Sequence, residues 1–200
     1  MVLASVARAQ TDVSASVYGA FSGTSDGNGV MQSPANAAGG LIEVRHISNP
    51  LVGFEGTYAF NRANQSYAER TPGICGLPCG VGSTLSTHVP ANAHEVTADW
   101  IVSFKFLNVR PFVLAGGGVL LNVPSAGEST GGTTTAQTQT QTKGVLVYGG
   151  GVDYGLLPHL GLRFQYRGNV YKAPQLTTAF SSSGQFVHTA EPMIGAYFRF

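Results

Sequence analysis

This sequence is short of charge. Only 10% of its 200 residues are Asp, Glu, Lys or Arg, against about 25% in an ordinary soluble domain. A water-exposed surface is hard to build from so few charges, so much of the outer surface is expected to face something other than water. The charges nearly cancel, to a net of +1, which leaves no basic footprint for nucleic acid. Long apolar runs are missing as well. No stretch approaches the ~18 residues of a membrane-spanning helix. Runs such as "PFVLAGGGVLL" are broken by Gly. A membrane crossing by this chain would have to use strands.

Cysteine is nearly absent. Cys75 and Cys79 sit in the Gly/Pro-rich "CGLPC", and no further Cys or nearby His completes a zinc set. In an exported protein a small disulfide-closed loop is expected there. The CxxxC spacing, without a βαβ surround, argues against redox catalysis. His88, His94, His159 and His188 are scattered without metal-ligand spacing. The Gly-rich runs fall inside strand patterns, where Gly marks curvature or close approach and not a phosphate cradle. No metal, no cofactor and no general acid/base pair is expected.

The N-terminus, "MVLASVARAQT", contains Ala7-Arg8-Ala9, which fits a small-x-small cleavage site before Gln10. Residues 1–10 therefore read as the remnant of an export signal or an unstructured N-terminus. Residues 11–200 read as a single domain.

What is present is alternation. In "HEVTADWIVSFKF", Val96, Ala98, Trp100, Val102, Phe104 and Phe106 form one face. Glu95, Thr97, Asp99, Ser103 and Lys105 form the other, with Ile101 the exception. A period of two over this length is a strand signal. The same pattern recurs in "DVSASVYGAFS", "GLIEVRHIS", "VGFEGTYAFN", "GVLVYGGGVDY", "LGLRFQYRG" and "PMIGAYFRF". "PFVLAGGGVLL" is apolar on both faces, so its register is open. Eight strands follow. Their connections alternate between tight turns, around Pro50, Pro111 and Pro158, and long polar loops near 23–38, 62–92, 122–142 and 168–188. This is an up-and-down antiparallel meander with both termini at the short-turn end.

Alternation alone does not say which face is outside, because a lipocalin-like soluble barrel also alternates. Three features place the apolar face outward. The polar face is mostly Ser, Thr, Gly and Ala, which suits the cramped inside of an eight-stranded barrel. Its charges balance, with Glu43, Glu55, Glu95, Asp99 and Asp153 against Arg45, Lys105, Arg163, Arg167 and Arg199, as a paired lumen network needs. Aromatics gather near the strand ends: Phe54, Phe106, Phe112, Tyr154 and Phe200 at the short-turn side, and Phe21, Phe60 and Tyr166 at the other. Two such girdles bracket the apolar band of a transmembrane barrel.

The segments "NPLVGFEGTYAFN", "VRPFVLAGGGV", "YGGGVDYGLLPHLGLRFQYR" and "GAYFRF" resemble the small bacterial outer-membrane β-barrel proteins related to the OmpA membrane domain and OmpX. The resemblance covers nearly the whole chain after residue 11. It implies an eight-stranded all-β transmembrane barrel in the bacterial outer membrane, with short periplasmic turns and long extracellular loops. It also implies that Tyr197, Phe198 and Phe200 form the C-terminal signal read by the barrel assembly machinery. Outer-membrane lipids and that machinery are the expected partners, and a monomer is expected.

The resulting expectation is a non-enzymatic surface protein whose polar lumen is filled, as opposed to a bulk porin. There is one enzymatic alternative. "RHISN" sets His46 and Ser48 on one strand face and resembles a His-x-Ser-Asn stretch of outer-membrane lipid A deacylases. The nearest downstream acid, Glu55, falls on the opposite face, and the motif lies in the second strand and not late in the chain. A nucleophilic Ser needs a base and a group orienting that base. The other alternative is a soluble ligand-binding barrel of the lipocalin type.

Overall fold

The computed structural model describes residues 10–48, 51–69, 85–125, 128–130 and 137–200. Cys75, Cys79, Pro50 and the N-terminal cleavage-site residues lie outside these. Eight long strands close into one antiparallel barrel. They are β1 (Gln10–Ser22), β2 (Ala37–Ile47), β3 (Val52–Arg62), β4 (Ala91–Ser103), β5 (Val109–Pro124), β6 (Gln141–Gly155), β7 (Leu160–Lys172) and β8 (Phe186–Arg199). Each pairs with its neighbours in sequence, and β1 closes the ring against β8. Closure satisfies every strand edge, which a sheet immersed in lipid requires.

The closing seam fixes the ends of the chain. Val13 lies opposite Phe198 and Val17 opposite Ile194. Beyond the last paired rung, the Phe200 amide donates to the Thr11 carbonyl at 2.9 Å. The terminal residues are therefore part of the wall and not a frayed tail.

Apolar side chains point out over the whole wall. Val17 is 65% exposed, Trp100 59% and Val113 60%. The alternate positions are buried: Asp12, Glu43, Arg45 and Arg163 have no exposed surface at all. This inverts a soluble barrel, where the apolar set faces inward. Exposed aromatics form two belts. Phe54, Trp100, Tyr154, Phe198 and Phe200 ring the short-turn end, with Phe54 and Trp100 in ring contact at 3.9 Å. Phe21, Phe60, Tyr148 and Tyr166 ring the other end. There the Tyr58 hydroxyl meets His94 and the Tyr148 hydroxyl meets His188, each at 2.9 Å, so the polar tips of the belt have partners.

Phe112 departs from its expected place in the short-turn belt. It points inward and is 4% exposed. In "PFVLAGGGVLL" the residues on both faces are apolar and the Gly116–Gly118 run carries no preference, but Arg110 and Asn122 of the same strand are buried on the face that Phe112 shares. Phe112 lies opposite Gly151 of β6. A Cβ on Gly151 would come within 2.8 Å of the Phe112 ring. The glycine leaves room there for the Phe112 ring and for the Phe164 carbonyl, which a Cβ would crowd still more closely. Ile101, the exception to alternation in β4, simply occupies an inward position and is fully buried.

The long loops hold more structure than their polar composition suggests. Segments Ser25–Gly27, Val30–Pro34, Gln65–Glu69, Leu85–Val89 and Glu128–Thr130 build a second, five-stranded sheet beyond the barrel. Its first hairpin turns on Asn28 and Gly29, both at positive φ, with Gly27 opposite Val30; that is the two-residue turn an Asn-Gly pair favours. The β7–β8 connection folds over this sheet. Leu176 and Phe180 pack on Val30, Tyr67, Val89 and Ala91. The Tyr67 hydroxyl donates to the Pro174 carbonyl at 2.8 Å and accepts from the Leu176 amide at 3.0 Å. Burial pushes this phenol up to about 12, which keeps it a neutral donor. The end of the Thr/Gln tract joins as well, with Gln139 donating to the Leu176 and Gln175 carbonyls. Polar segments become ordered here because they extend barrel hairpins that are already paired, so little further chain entropy is lost.

Candidate functional site

The site is the lumen and its two mouths. Eight strands leave an interior only wide enough for side chains. At positions where inward residues are charged, those side chains meet across the barrel. Arg45 on β2 donates through Nε to Glu55 at 2.7 Å and through Nη1 to Asp153 at 3.1 Å. Its first partner lies directly opposite on β3. Its second lies on β6, diametrically across the ring of strands. The guanidinium sits 4.1 Å above the inward-turned Phe112 ring, a cation–π contact strengthened by exclusion of water.

Arg163 on β7 is the hub. Nε donates to Asp153 at 2.7 Å, Nη2 to Asp12 at 2.9 Å, and Nη1 to Glu43 and to the Ser14 hydroxyl at 2.9 Å each. Ser14 also donates to Glu43. One planar fork thus links four strands, a task that suits a guanidinium better than an ammonium. Higher in the barrel, Arg167 lies 3.2 Å from Glu95 and 3.8 Å from Asp99. Asn169 supplies Glu95 with a second donor at 2.9 Å.

Of the residues assigned to a lumen network from sequence, Glu43, Arg45, Glu55, Glu95, Asp99, Asp153, Arg163 and Arg167 share this interior. Arg199 lies half-buried at the short-turn mouth, against the ring and hydroxyl of Tyr197. Lys105 does not join. β4 ends at Ser103, and Lys105 is exposed in the turn that follows; strand alternation stops assigning faces where the strand stops. Three inward charges were absent from the sequence-based set: Asp12, Arg110 and Glu191. Asp12 and Arg110 sit near strand starts, where a short window shows little alternation, and Glu191 sits inside β8, opposite Arg167, in a stretch that the loop-like composition before Pro192 hid. Among the described residues the interior count is therefore seven acids against five arginines (Asp12, Glu43, Glu55, Glu95, Asp99, Asp153, Glu191; Arg45, Arg110, Arg163, Arg167, Arg199). The five-to-five balance does not hold.

His46 and Ser48 face outward near the short-turn end. The His46 ring bonds the Thr11 hydroxyl at 3.0 Å, and Glu55 is buried on the other side of the wall in contact with Arg45. The three do not form a nucleophile–base–acid array. Tyr197 faces the lumen at 2% exposure, whereas Phe198 and Phe200 face out, edge to face with ring centroids 5.2 Å apart. Among the described residues no helix is long and apolar enough to cross a membrane, and no cluster of His, Cys, Asp and Glu could hold a metal ion.

A closed eight-stranded wall with an apolar exterior, aromatic belts and a charged interior defines an outer-membrane β-barrel. The sequence model of the outer membrane protein β-barrel domain matches residues 1–192, and the chain belongs to that family. No curated protein sequence matches it. Solved barrels share its fold at low identity. OprG from Pseudomonas aeruginosa is 14% identical, with a TM-score of 0.59 over 97% of each chain. Ail, the attachment invasion locus protein of Yersinia pestis, is 18% identical, with a TM-score of 0.54 over 96% of this chain and 98% of its own; a second Ail structure holds the heparin analogue sucrose octasulfate. Neisserial surface protein A is 18% identical, with a TM-score of 0.51 over 95% and 97%. The protein is thus a bacterial outer-membrane barrel, with its short turns on the periplasmic side.

Proposed function

We propose that this protein is a non-enzymatic barrel whose charged interior seals the lumen and whose wall holds the extracellular sheet as a rigid contact surface. The transluminal Arg45–Asp153 bond carries this reading. It joins opposite walls at 3.1 Å with both side chains fully buried, where a water-filled channel would need open space. The extracellular sheet supports the second half, because its buried cluster gives the loops a fixed shape. Arg62, Lys143 and Lys172 are cations described near the upper ends of β3, β6 and β7.

In planar bilayers the purified protein is expected to show no steady nanosiemens-scale conductance. A sustained open level of that size would sink the sealed-lumen reading.

The same reading gives the C-terminus a role in assembly. Phe198 and Phe200 present aromatics on the lipid side of the closing strand, and Tyr197 fixes its inner side. Deleting Phe200 is expected to lower the amount of heat-modifiable barrel in outer-membrane fractions severalfold, with total synthesis unchanged. Equal barrel recovery from both forms would leave Phe200 as an interfacial anchor alone.

A further inference from the structure

We infer that the periplasmic mouth of the barrel is a binding site for a phosphate group. The mouth opens into a cavity of about 360 Å³. Lys105, Arg110 and Arg199 line it, together with Asn108 and Tyr197. The cations come from the β4–β5 turn, the start of β5 and the end of β8, and closing the barrel brings them to one opening. Arg110 is the strongest sign of an intended ligand. It is only 8% exposed, and Nη2 donates to the Gln10 side chain at 2.9 Å. Nη1 is buried with no hydrogen-bond partner, and none of the three cations has a carboxylate within ion-pair distance among the described residues. A buried guanidinium donor left empty is costly, and an anion entering the cavity would satisfy it.

The one acid lining the cavity among the described residues, Asp153, does not supply that anion. Both its carboxylate oxygens are taken by Arg45 and Arg163 from the lumen side. What remains facing the opening is a surplus of positive charge with several donors spread around it. That geometry suits the oxygens of a phosphate better than a single-atom anion. The rim is apolar: Leu107, Leu156 and Leu157 are 77%, 53% and 63% exposed at the turn tips. Acyl chains of a lipid would run along these leucines while its phosphate enters the mouth. Basic pockets at the membrane edge bind anionic headgroups in this manner. A soluble phosphate could fill the same donors without using the rim.

The test uses the full chain, folded in an uncharged, phosphate-free detergent and followed by ³¹P NMR. One arm adds short-chain phosphatidylglycerol and the other adds inorganic phosphate. The expected result is saturable binding of phosphatidylglycerol that weakens about tenfold in Arg110→Gln, the loss of one charge-assisted hydrogen bond. Saturable binding of inorganic phosphate with the same Arg110 dependence, and no gain from the lipid, would support the site and assign it a soluble source. Absence of saturable binding in both arms overturns the proposal, as does unchanged affinity in Arg110→Gln. Should Arg110→Gln fail to fold, Lys105→Gln serves, since Lys105 is exposed in a turn. Its affinity is expected to fall about threefold from loss of a partly exposed charge, and unchanged affinity there overturns the proposal equally.

Discussion

Replacing Arg163 with Met is expected to destabilise the folded barrel by about 3–5 kcal/mol, the cost of breaking a buried ion pair from one side. The substitution keeps much of the volume and removes the charge that Asp12, Glu43 and Asp153 share. Those carboxylates have no water to turn to, because their side chains and that of Arg163 are fully buried. Asp12 and Glu43 would be left as uncompensated charges in a medium of low dielectric, while Asp153 would keep only its bond to Arg45. The effect would be read as a shift in the urea midpoint of the barrel folded in lipid vesicles. A double variant, Arg163→Met with Asp153→Asn, is expected to recover part of the loss, since neighbours in one network do not add. A loss below 1 kcal/mol in the single variant would mean that the hub is solvated and the interior is wet.

Ile194→Arg is expected to cost about 2–4 kcal/mol, the range for a cation at the midplane of the lipid-facing wall of such a barrel. Ile194 is 48% exposed, and on a water-facing wall the same change would cost almost nothing. It stands between the aromatic belts, opposite Val17 on one side and Phe164 on the other. Phe198 marks the lower belt on the same strand, and Tyr166, opposite Pro192, marks the upper. The measurement is again unfolding in vesicles, with Phe198→Arg as the comparison. That residue lies at the interface, where snorkelling reduces the penalty to about 0–1 kcal/mol. Equal, negligible costs at both positions would contradict a lipid-facing wall.

Both expectations depend on which side of the wall each residue occupies, and much of that was legible in the chain. Alternation in "HEVTADWIVS" and "LGLRFQYRG" places Trp100 and Phe164 outside and Asp99, Arg163 and Arg167 inside. A strand has only two faces, so one charged residue fixes the parity of all the others. The rule fails where its premises fail. The segment "PFVLAGGGVLL" has apolar residues on both faces and a three-glycine run, so read by itself it leaves Phe112 unassigned; Arg110, two residues earlier and buried on the same face, is what fixes the parity. Lys105 follows the last residue of its strand, where parity has no meaning. The extracellular sheet was illegible for a different reason. Composition records that a loop is polar, but not that its backbone continues a paired hairpin.

By itself, then, the sequence determined the number of strands, their order in the wall and the face of most residues. These follow from a local period of two and from turn chemistry. It could not determine partners across the lumen. Arg45 and Asp153 are 108 residues apart in the chain. Their bond exists because a ring of eight strands places β2 and β6 face to face across a space one side chain wide. Closure also turned three separated cations into one mouth, with Arg110 buried at its edge. Distances through the middle of a barrel are set by strand count and stagger together, and no local pattern carries either.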